Sequence, residues 1–75
     1  MKAIRQPIDF NSIAKETGVR KGRVFFSTTF KEWVVSGDTD VDLICIDPPK
    51  NIGDKLNGQT ITKVRIENNH WIFEL

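Results

Sequence analysis

Two adjacent asparagines near the end of the chain constrain its fold more than any other feature. Asn68 and Asn69 separate two segments rich in strand-forming residues, and asparagine tolerates the positive φ that a two-residue type I′ turn requires. A turn at these residues places Glu67 opposite His70, and alternation sets the remaining pairs. These are Ile66–Trp71, Val64–Phe73 and Thr62–Leu75 on one face, and Arg65–Ile72 and Lys63–Glu74 on the other. The sequence therefore predicts a half-buried C-terminal β-hairpin.

Three upstream segments also predict strands. Residues 23–30 alternate, with Val24, Phe26, Thr28 and Phe30 on one face. Residues 33–35 predict a shorter strand, either separate from the first or continuous with it across a bend at residues 31–32. Residues 41–46 are apolar on both faces, which is typical of a central strand. Cys45 is expected to be buried there. Two prolines end this strand, and residues 48–59 are predicted to be irregular, with Ile52 and Leu56 holding them to the core.

One short helix is predicted near the N-terminus. Residues 9–17 place Phe10, Ile13 and Ala14 on one face, and Gly18 follows where a helix commonly stops. The expected fold class is α+β, as a single domain spanning residues 1–75. It has one short N-terminal helix followed by a mostly antiparallel sheet of four or five strands, or a partly closed small barrel, and it ends in the hairpin.

Size and composition argue against several functional classes. The chain has 75 residues, one cysteine and one histidine, which excludes an internal disulfide and a thiolate zinc site. It contains no glycine-rich phosphate-binding motif and no recognisable catalytic set. We therefore expect a protein that is not an enzyme and that has neither a cofactor nor a metal. The first residues lack a signal-peptide pattern and no apolar run spans a bilayer, so a soluble cytoplasmic protein is expected.

The segment that ends at Asp47-Pro48-Pro49 resembles the catalytic tetrapeptide of amino-methyltransferases, in which Asp-Pro-Pro is followed by an aromatic residue. Lys50 stands in place of the aromatic residue that stacks on the target base. The resemblance covers about ten residues, and the chain is too short for the methyl-donor domain that it would imply. The simpler interpretation is a strand that is ended by prolines.

A basic stretch favours nucleic-acid binding as an alternative function. Residues 12–24 resemble a helix-turn-helix pattern that would place basic side chains on a recognition helix. Gly22 disfavours the second helix, and a competing interpretation makes residues 20–23 an exposed basic loop before a strand. Both interpretations assign the contacts to the same residues: Lys15, Arg20, Lys21 and Arg23.

Protein binding is the leading functional hypothesis. Charge is uneven, since residues 1–31 carry a net +5 and residues 32–75 a net −4, which gives the chain basic and acidic surfaces. The acidic run from Asp38 to Asp42 matches the start of a calcium loop but lacks its glycine and final glutamate. It is read instead as part of a partner-binding surface. That surface comprises Asp38, Asp40, Asp42, Asp47 and Lys50.

The expected activity is that of an inhibitor or adaptor, a profile shared by small accessory proteins of phages and mobile elements. The partner is expected to be another protein, with nucleic acid as the alternative and no membrane. The last strand, which ends at Leu75, is expected to be an edge strand. A homodimer is expected to form by adding a strand to such an edge.

Overall fold

The computed structural model describes residues 2–75. The chain folds into two compact units. Residues 9–47 form one, here named the central unit, and the segments before and after them form the other, the terminal unit. The elements of the described residues are β1 (Ala3–Pro7), α1 (Phe10–Thr17), β2 (Gly22–Ser27), β3 (Glu32–Gly37), β4 (Ile44–Ile46), β5 (Lys55–Leu56), β6 (Gln59–Thr60), β7 (Lys63–Glu67) and β8 (His70–Glu74).

The predicted C-terminal hairpin is confirmed. Asn68 and Asn69 have φ values of 50° and 60°, as the two central residues of a type I′ turn require. β7 and β8 pair antiparallel with Glu67 opposite His70, and the four predicted pairs from Ile66–Trp71 to Lys63–Glu74 all occur. Beyond the ladder, the Thr62 N–H donates to the Glu74 carbonyl at 2.7 Å.

The expectation that the last strand lies at an edge is wrong. β1 pairs with the other side of β8, so the sheet order is β1-β8-β7 and β8 is the central strand. β1, which precedes the helix, was not predicted from the sequence. Because β8 has a neighbour on both sides, its Trp71, Ile72 and Phe73 are all buried, although they point alternately to opposite faces.

One face of this sheet is charged around a buried apolar centre. Ile72 is 2% exposed, and the register places Arg5 and Arg65 on either side of it. Both arginines interact with Glu67, and Arg65 Nε also donates to Glu74 at 3.2 Å. The hydrogen bond from Arg65 lowers the pKa of Glu67. These interactions connect Arg5, Arg65, Glu67 and Glu74 on this face of the terminal unit.

The segment predicted to be irregular contains a second small hairpin. β5 and β6 pair across Asn57 and Gly58, whose φ values of 53° and 77° again fit a type I′ turn. The Ile61 N–H donates to the Asp54 carbonyl at 2.9 Å and extends the contact between the two arms. Ile52 was expected to reach the core, but its side chain is 66% exposed.

The predicted helix is confirmed, and its ends follow the sequence signals. Asp9 is the N-cap, and its carboxylate accepts from the backbone N–H of Asn11 at 3.0 Å and from the Ser12 hydroxyl at 2.9 Å. These hydrogen bonds lower the pKa of Asp9, and the one donated by the Ser12 hydroxyl has the largest effect. At the other end Gly18 has a φ of 87°, and its N–H donates to the Ala14 carbonyl at 2.9 Å.

The central unit contains the sheet β2-β3-β4, in which both pairs are antiparallel. Residues 22–27 are a strand, so the second helix of the helix-turn-helix interpretation is wrong. The shorter strand predicted at residues 33–35 is confirmed within β3. It is a separate strand, because the chain reverses through a four-residue loop after β2 and does not continue across a bend. The strand predicted at residues 41–46 is confined to Ile44–Ile46 and lies at the edge, while β3 is central.

The predicted α+β class is confirmed, since the described residues form one short helix and antiparallel strands. The strands fall into three sheets of three, three and two strands, where the sequence predicted one sheet of four or five strands or a partly closed barrel. The helix follows a strand instead of preceding all of them. Within residues 2–75, no helix has the length and apolar character needed to cross a membrane.

Candidate functional site

The two most exposed aromatic residues, Phe26 and Phe30, belong to the same end of the β2-β3-β4 sheet, one in β2 and one in the loop that follows it. Phe26 and Trp33 are cross-strand partners whose ring centroids lie 5.2 Å apart, with their planes at 77°, in an edge-to-face contact. Ile46 is the partner of Trp33 on β4, and Phe30 lies in the loop that follows β2. Phe26 is 46% and Phe30 57% exposed. We name these four residues the aromatic patch.

The β2–β3 loop holds Phe30 at this position. Ser27 is buried, and its hydroxyl accepts from the Phe30 N–H at 3.1 Å, while its carbonyl accepts from the Lys31 N–H at 2.7 Å. Lys31 closes the loop with a φ of 56°, a left-handed conformation that costs a residue with a side chain about 1–2 kcal/mol. The loop is therefore fixed by its own hydrogen bonds.

Phe26 and Phe30 were predicted to lie on one face of a single strand over residues 23–30. The structure ends β2 at Ser27, and only Val24 of that face is buried. The signal for the loop was weak, because serine and threonine occur in turns as well as strands. The aromatic patch was therefore missed as a candidate surface.

Cys45 is exposed, which corrects the expectation of a buried thiol. Its side chain donates to the Glu32 carboxylate, with 2.9 Å between Sγ and Oε2. That hydrogen bond is the main cause that raises the pKa of Cys45, and the negative charges of Glu32 and Asp47 act in the same direction. Because the thiolate is the reactive form, this environment makes Cys45 a poor nucleophile.

The basic residues predicted to bind nucleic acid are all exposed but belong to different elements. Lys15 lies in the last turn of α1, Arg20 and Lys21 in the loop before β2, and Arg23 on β2. The Arg23 guanidinium lies 5.4 Å from the centre of the Phe25 ring, a cation–π geometry. This arrangement matches the basic-loop interpretation.

Arg20 is bound to one of the aspartates assigned to the acidic surface. Its backbone N–H donates to Asp38 Oδ1 at 2.9 Å, and its Nε lies 3.7 Å from Asp38 Oδ2. The backbone hydrogen bond from Arg20 is the main cause that lowers the pKa of Asp38. Asp38 therefore holds the basic loop, and the predicted basic and acidic surfaces meet at this pair.

The other predicted partner-binding residues are exposed. Asp40 and Asp42 lie in the loop between β3 and β4, and Asp47 follows β4. Lys50 belongs to the terminal unit. The central unit carries five lysines and arginines against seven acidic residues, a net charge of −2, so its basic loop belongs to an acidic unit.

Metal binding has no candidate among the described residues, because no three histidine, cysteine, aspartate or glutamate side chains gather around a common point in residues 2–75. Comparison of the chain with protein-family models, curated proteins and solved structures gives no match. Function is therefore inferred from the surfaces of the two units themselves.

Proposed function

We propose that this chain is a non-enzymatic binding protein of the inhibitor or adaptor type, and that the aromatic patch is its contact surface for another protein. The observation that carries the proposal is the exposure of Phe26 and Phe30 at the end of a sheet whose neighbouring residues Val34 and Val35 are fully buried. Large aromatic side chains bury about 150–250 Å² each and dominate the energetics of protein interfaces.

The rigidity of the patch also supports a binding role. The edge-to-face contact with Trp33 orients Phe26, and the two hydrogen bonds accepted by Ser27 fix the loop that presents Phe30. A surface that is ordered before binding avoids the cost of about 0.5–1.5 kcal/mol for each side chain immobilised at an interface. Charged residues border the patch in the chain, with Lys31 after Phe30 and Asp47 after Ile46, as in the polar rim of an interface.

An affinity pull-down from lysate of the host organism tests the proposal. The bait is the full chain, compared with the double variant F26A/F30A and with I52A, which removes a more exposed aliphatic side chain from the terminal unit. We expect a captured protein that is lost with F26A/F30A, retained with I52A and unaffected by nuclease. Equal capture by all three baits would contradict the proposal. Circular dichroism establishes that the double variant is folded.

A second candidate function is nucleic-acid binding through Arg20, Lys21 and Arg23, with Lys15 nearby in the sequence. Its support is the exposure of these side chains and the position of Arg23 over Phe25. Nucleic-acid surfaces commonly combine basic groups with aromatic rings. The net negative charge of the central unit and the carboxylate of Asp38 beside Arg20 make this candidate weaker than protein binding.

Fluorescence anisotropy with labelled single- and double-stranded oligonucleotides tests this second candidate. Binding through three cations predicts that log K falls with log salt concentration with a slope of about −2 to −3. The triple variant R20Q/K21Q/R23Q is expected to lose that slope, while the Arg20 backbone N–H still bonds to Asp38. No binding to any oligonucleotide at low salt would exclude this candidate.

A further inference from the structure

The turn of the β5–β6 hairpin is formed by the one Asn-Gly pair of the chain. Asn57 and Gly58 are exposed, and their φ values are 53° and 77°. The space around Gly58 is open, because a Cβ built there would meet no atom within 4 Å. The side-chain amide of Asn57 and the backbone nitrogen of Gly58 therefore lie at a surface that is open to water.

An Asn-Gly pair combines a labile amide with an uncrowded nucleophile. Asparagine is one of the thermally labile residues. The glycine nitrogen loses its proton and attacks the asparagine Cγ, so that an N–Cγ bond forms, the Cγ–Nδ2 bond breaks and ammonia leaves. One water molecule then opens the resulting five-membered succinimide at either carbonyl, which gives aspartate or isoaspartate. The net reaction consumes one water and releases one ammonia, with no oxidation or reduction.

We propose that Asn57 is a modification site, where this reaction converts the side-chain amide to a carboxylate without an enzyme. Asn57 belongs to the terminal unit, whereas all four residues of the aromatic patch belong to the central unit. Modification here therefore goes beyond the binding function proposed for the patch and is independent of it.

The hairpin must open at its tip before the ring closes. In a type I′ turn the main chain of Asn57 directs the Gly58 nitrogen away from the side chain, so attack requires rotation about the Asn57 Cα–C bond. The ladder that resists this rotation has two residue pairs, and three of its four residues are exposed. Segments with few buried apolar contacts open locally at low cost. The turn therefore reaches the reactive conformation while the rest of the terminal unit stays folded.

Hydrogen bonds at the base of the hairpin confine this opening to the tip. The Ile61 N–H donates to the Asp54 carbonyl, and the Ile61 carbonyl accepts from the Gly53 N–H, both at 2.9 Å. Ile61 is also 1% exposed. The two arms thus remain anchored on the side of β5 and β6 that is remote from Asn57.

The other asparagines do not combine an open turn with a following glycine. They are Asn11, Asn51, Asn68 and Asn69. The nitrogen that follows Asn11 is held, since the Ser12 N–H donates to Asp9 at 3.4 Å. Asn51 precedes Ile52, whose β-branched side chain crowds the attacking nitrogen. The turn at residues 68 and 69 is closed by five residue pairs, and opening that ladder exposes the buried Trp71.

Modification changes both the charge and the backbone of the hairpin. The terminal unit carries six lysines and arginines against three acidic residues, a net charge of +3, which a carboxylate at Asn57 lowers by one. Isoaspartate also places its Cβ in the main chain and lengthens the two-residue loop. Because the loop length sets the register of a hairpin, we expect the pairing of β5 with β6 to be lost in the isoaspartate form and kept in the aspartate form.

Ageing of the purified full chain, followed by peptide mapping with mass spectrometry, tests the site. We expect a gain of one mass unit at Asn57, at a rate several-fold above that of any other asparagine. The rate is expected to rise from mildly acidic to mildly alkaline buffer, because the attacking nitrogen must lose its proton. G58A is expected to slow the gain several-fold. N57G, which keeps residues that adopt positive φ in the turn, is expected to abolish it.

A parallel sample unfolded in guanidinium chloride separates the reactivity of the pair from the effect of the fold. We expect Asn57 to react in both samples. A folded chain that stays unchanged at Asn57 while the unfolded chain reacts would overturn the proposal, as would a faster gain at another asparagine in the folded chain.

Hydrogen exchange on the separated products tests the structural consequence. The backbone amides of residues 55–60 are expected to exchange faster in the isoaspartate form than in the aspartate form, for which the variant N57D is the reference. Equal exchange in the two forms would refute the loss of β5–β6 pairing.

Discussion

The backbone N–H of Arg20 donates to the Asp38 carboxylate at 2.9 Å, and this contact joins the loop before β2 to the loop after β3. The sequence alone predicted that these two residues belong to opposite kinds of surface. This hydrogen bond gives Asp38, which the sequence assigned to a partner-binding surface, a structural role. It also leaves the Arg20 side chain 81% exposed beside that carboxylate, so the binding properties of the basic loop depend on Asp38.

Substitution of Asp38 is expected to destabilise the protein in a pH-dependent way. The hydrogen bond from Arg20 lowers the pKa of Asp38 below its ordinary value of 3.8. A carboxylate with a lowered folded-state pKa stabilises the fold above its ordinary pKa, and that stability is lost as the pH falls through the lowered value. Thermal unfolding should therefore show D38N less stable than the wild type at pH 7, with the difference vanishing in strong acid. A constant difference at all pH values would contradict this assignment, and D40N, an exposed neighbour, is the control.

A close approach of the two strand ends makes Gly37 sensitive to substitution. It pairs with Gly22 at the end of the β2–β3 ladder, and a Cβ at Gly37 would overlap the Lys21 carbonyl oxygen and lie 2.6 Å from Val19 Cγ1. Val19 is fully buried, so there is little space to adjust. We expect G37A to lower the free energy of unfolding by about 1–3 kcal/mol, measured by urea denaturation. G53A is the control, because a Cβ at residue 53 meets open space and the alanine has only the strain of a positive φ, roughly 1 kcal/mol. An equal loss of stability in both variants would refute the steric explanation for G37A.

The turn at Asn68 and Asn69 offers a stabilising substitution. Asn69 has a φ of 60°, and glycine adopts this conformation without the strain that a side chain brings. N69G, which creates the favoured Asn-Gly turn, removes a left-handed strain of about 1–2 kcal/mol and adds unfolded-chain entropy that costs about 0.4–1 kcal/mol. We therefore expect it to raise the free energy of unfolding by up to about 1 kcal/mol. N69V is expected to lower it by about 1–2 kcal/mol. Chemical denaturation measures both, and the same ranking at an exposed strand position such as Lys63 would show that the turn is not the cause.

The elements that were predicted correctly are those set by local chemistry. Asn68 and Asn69 fix the loop length of the hairpin, and a two-residue loop fixes every pair of the ladder. Likewise, Asp9 and Gly18 define the ends of the helix through hydrogen bonds to residues only three or four positions away. In both cases the information lies within about ten residues of sequence.

The elements that were missed depend on distant or very short contacts. β1 contains Ala3 and Pro7, which are poor strand formers, and its position is set by pairing with β8 at the other end of the chain. The β5–β6 hairpin has only two residues in each arm, so no alternation accompanied its Asn57-Gly58 turn. A strand that pairs with a distant segment, or one of only two residues, produces no clear hydrophobic alternation in the local sequence.

The candidate site was missed for a related reason. Residues 23–30 satisfy the alternation of a strand, which places Phe26 and Phe30 on one face of it. The buried Ser27 hydroxyl instead accepts from the Phe30 N–H and stabilises a loop in which Phe30 is exposed, while Phe26 remains on β2. A hydrogen bond between a side chain and the backbone can compete with strand pairing. The pattern of hydrophobic residues does not predict such a hydrogen bond.

The thiol of Cys45 provides a test of the edge-strand environment. Its hydrogen bond to Glu32 is the main cause of its raised pKa, and the Asp47 charge makes the smallest contribution. E32A removes both the acceptor and a nearby charge, so we expect the pKa of Cys45 to fall and its reaction with iodoacetamide at neutral pH to accelerate. E32Q, which keeps an acceptor oxygen, is expected to have a smaller effect, and D47N the smallest. Titration of the thiolate absorbance measures the shift directly. If E32A leaves that titration unchanged, the Cys45–Glu32 hydrogen bond is absent in solution.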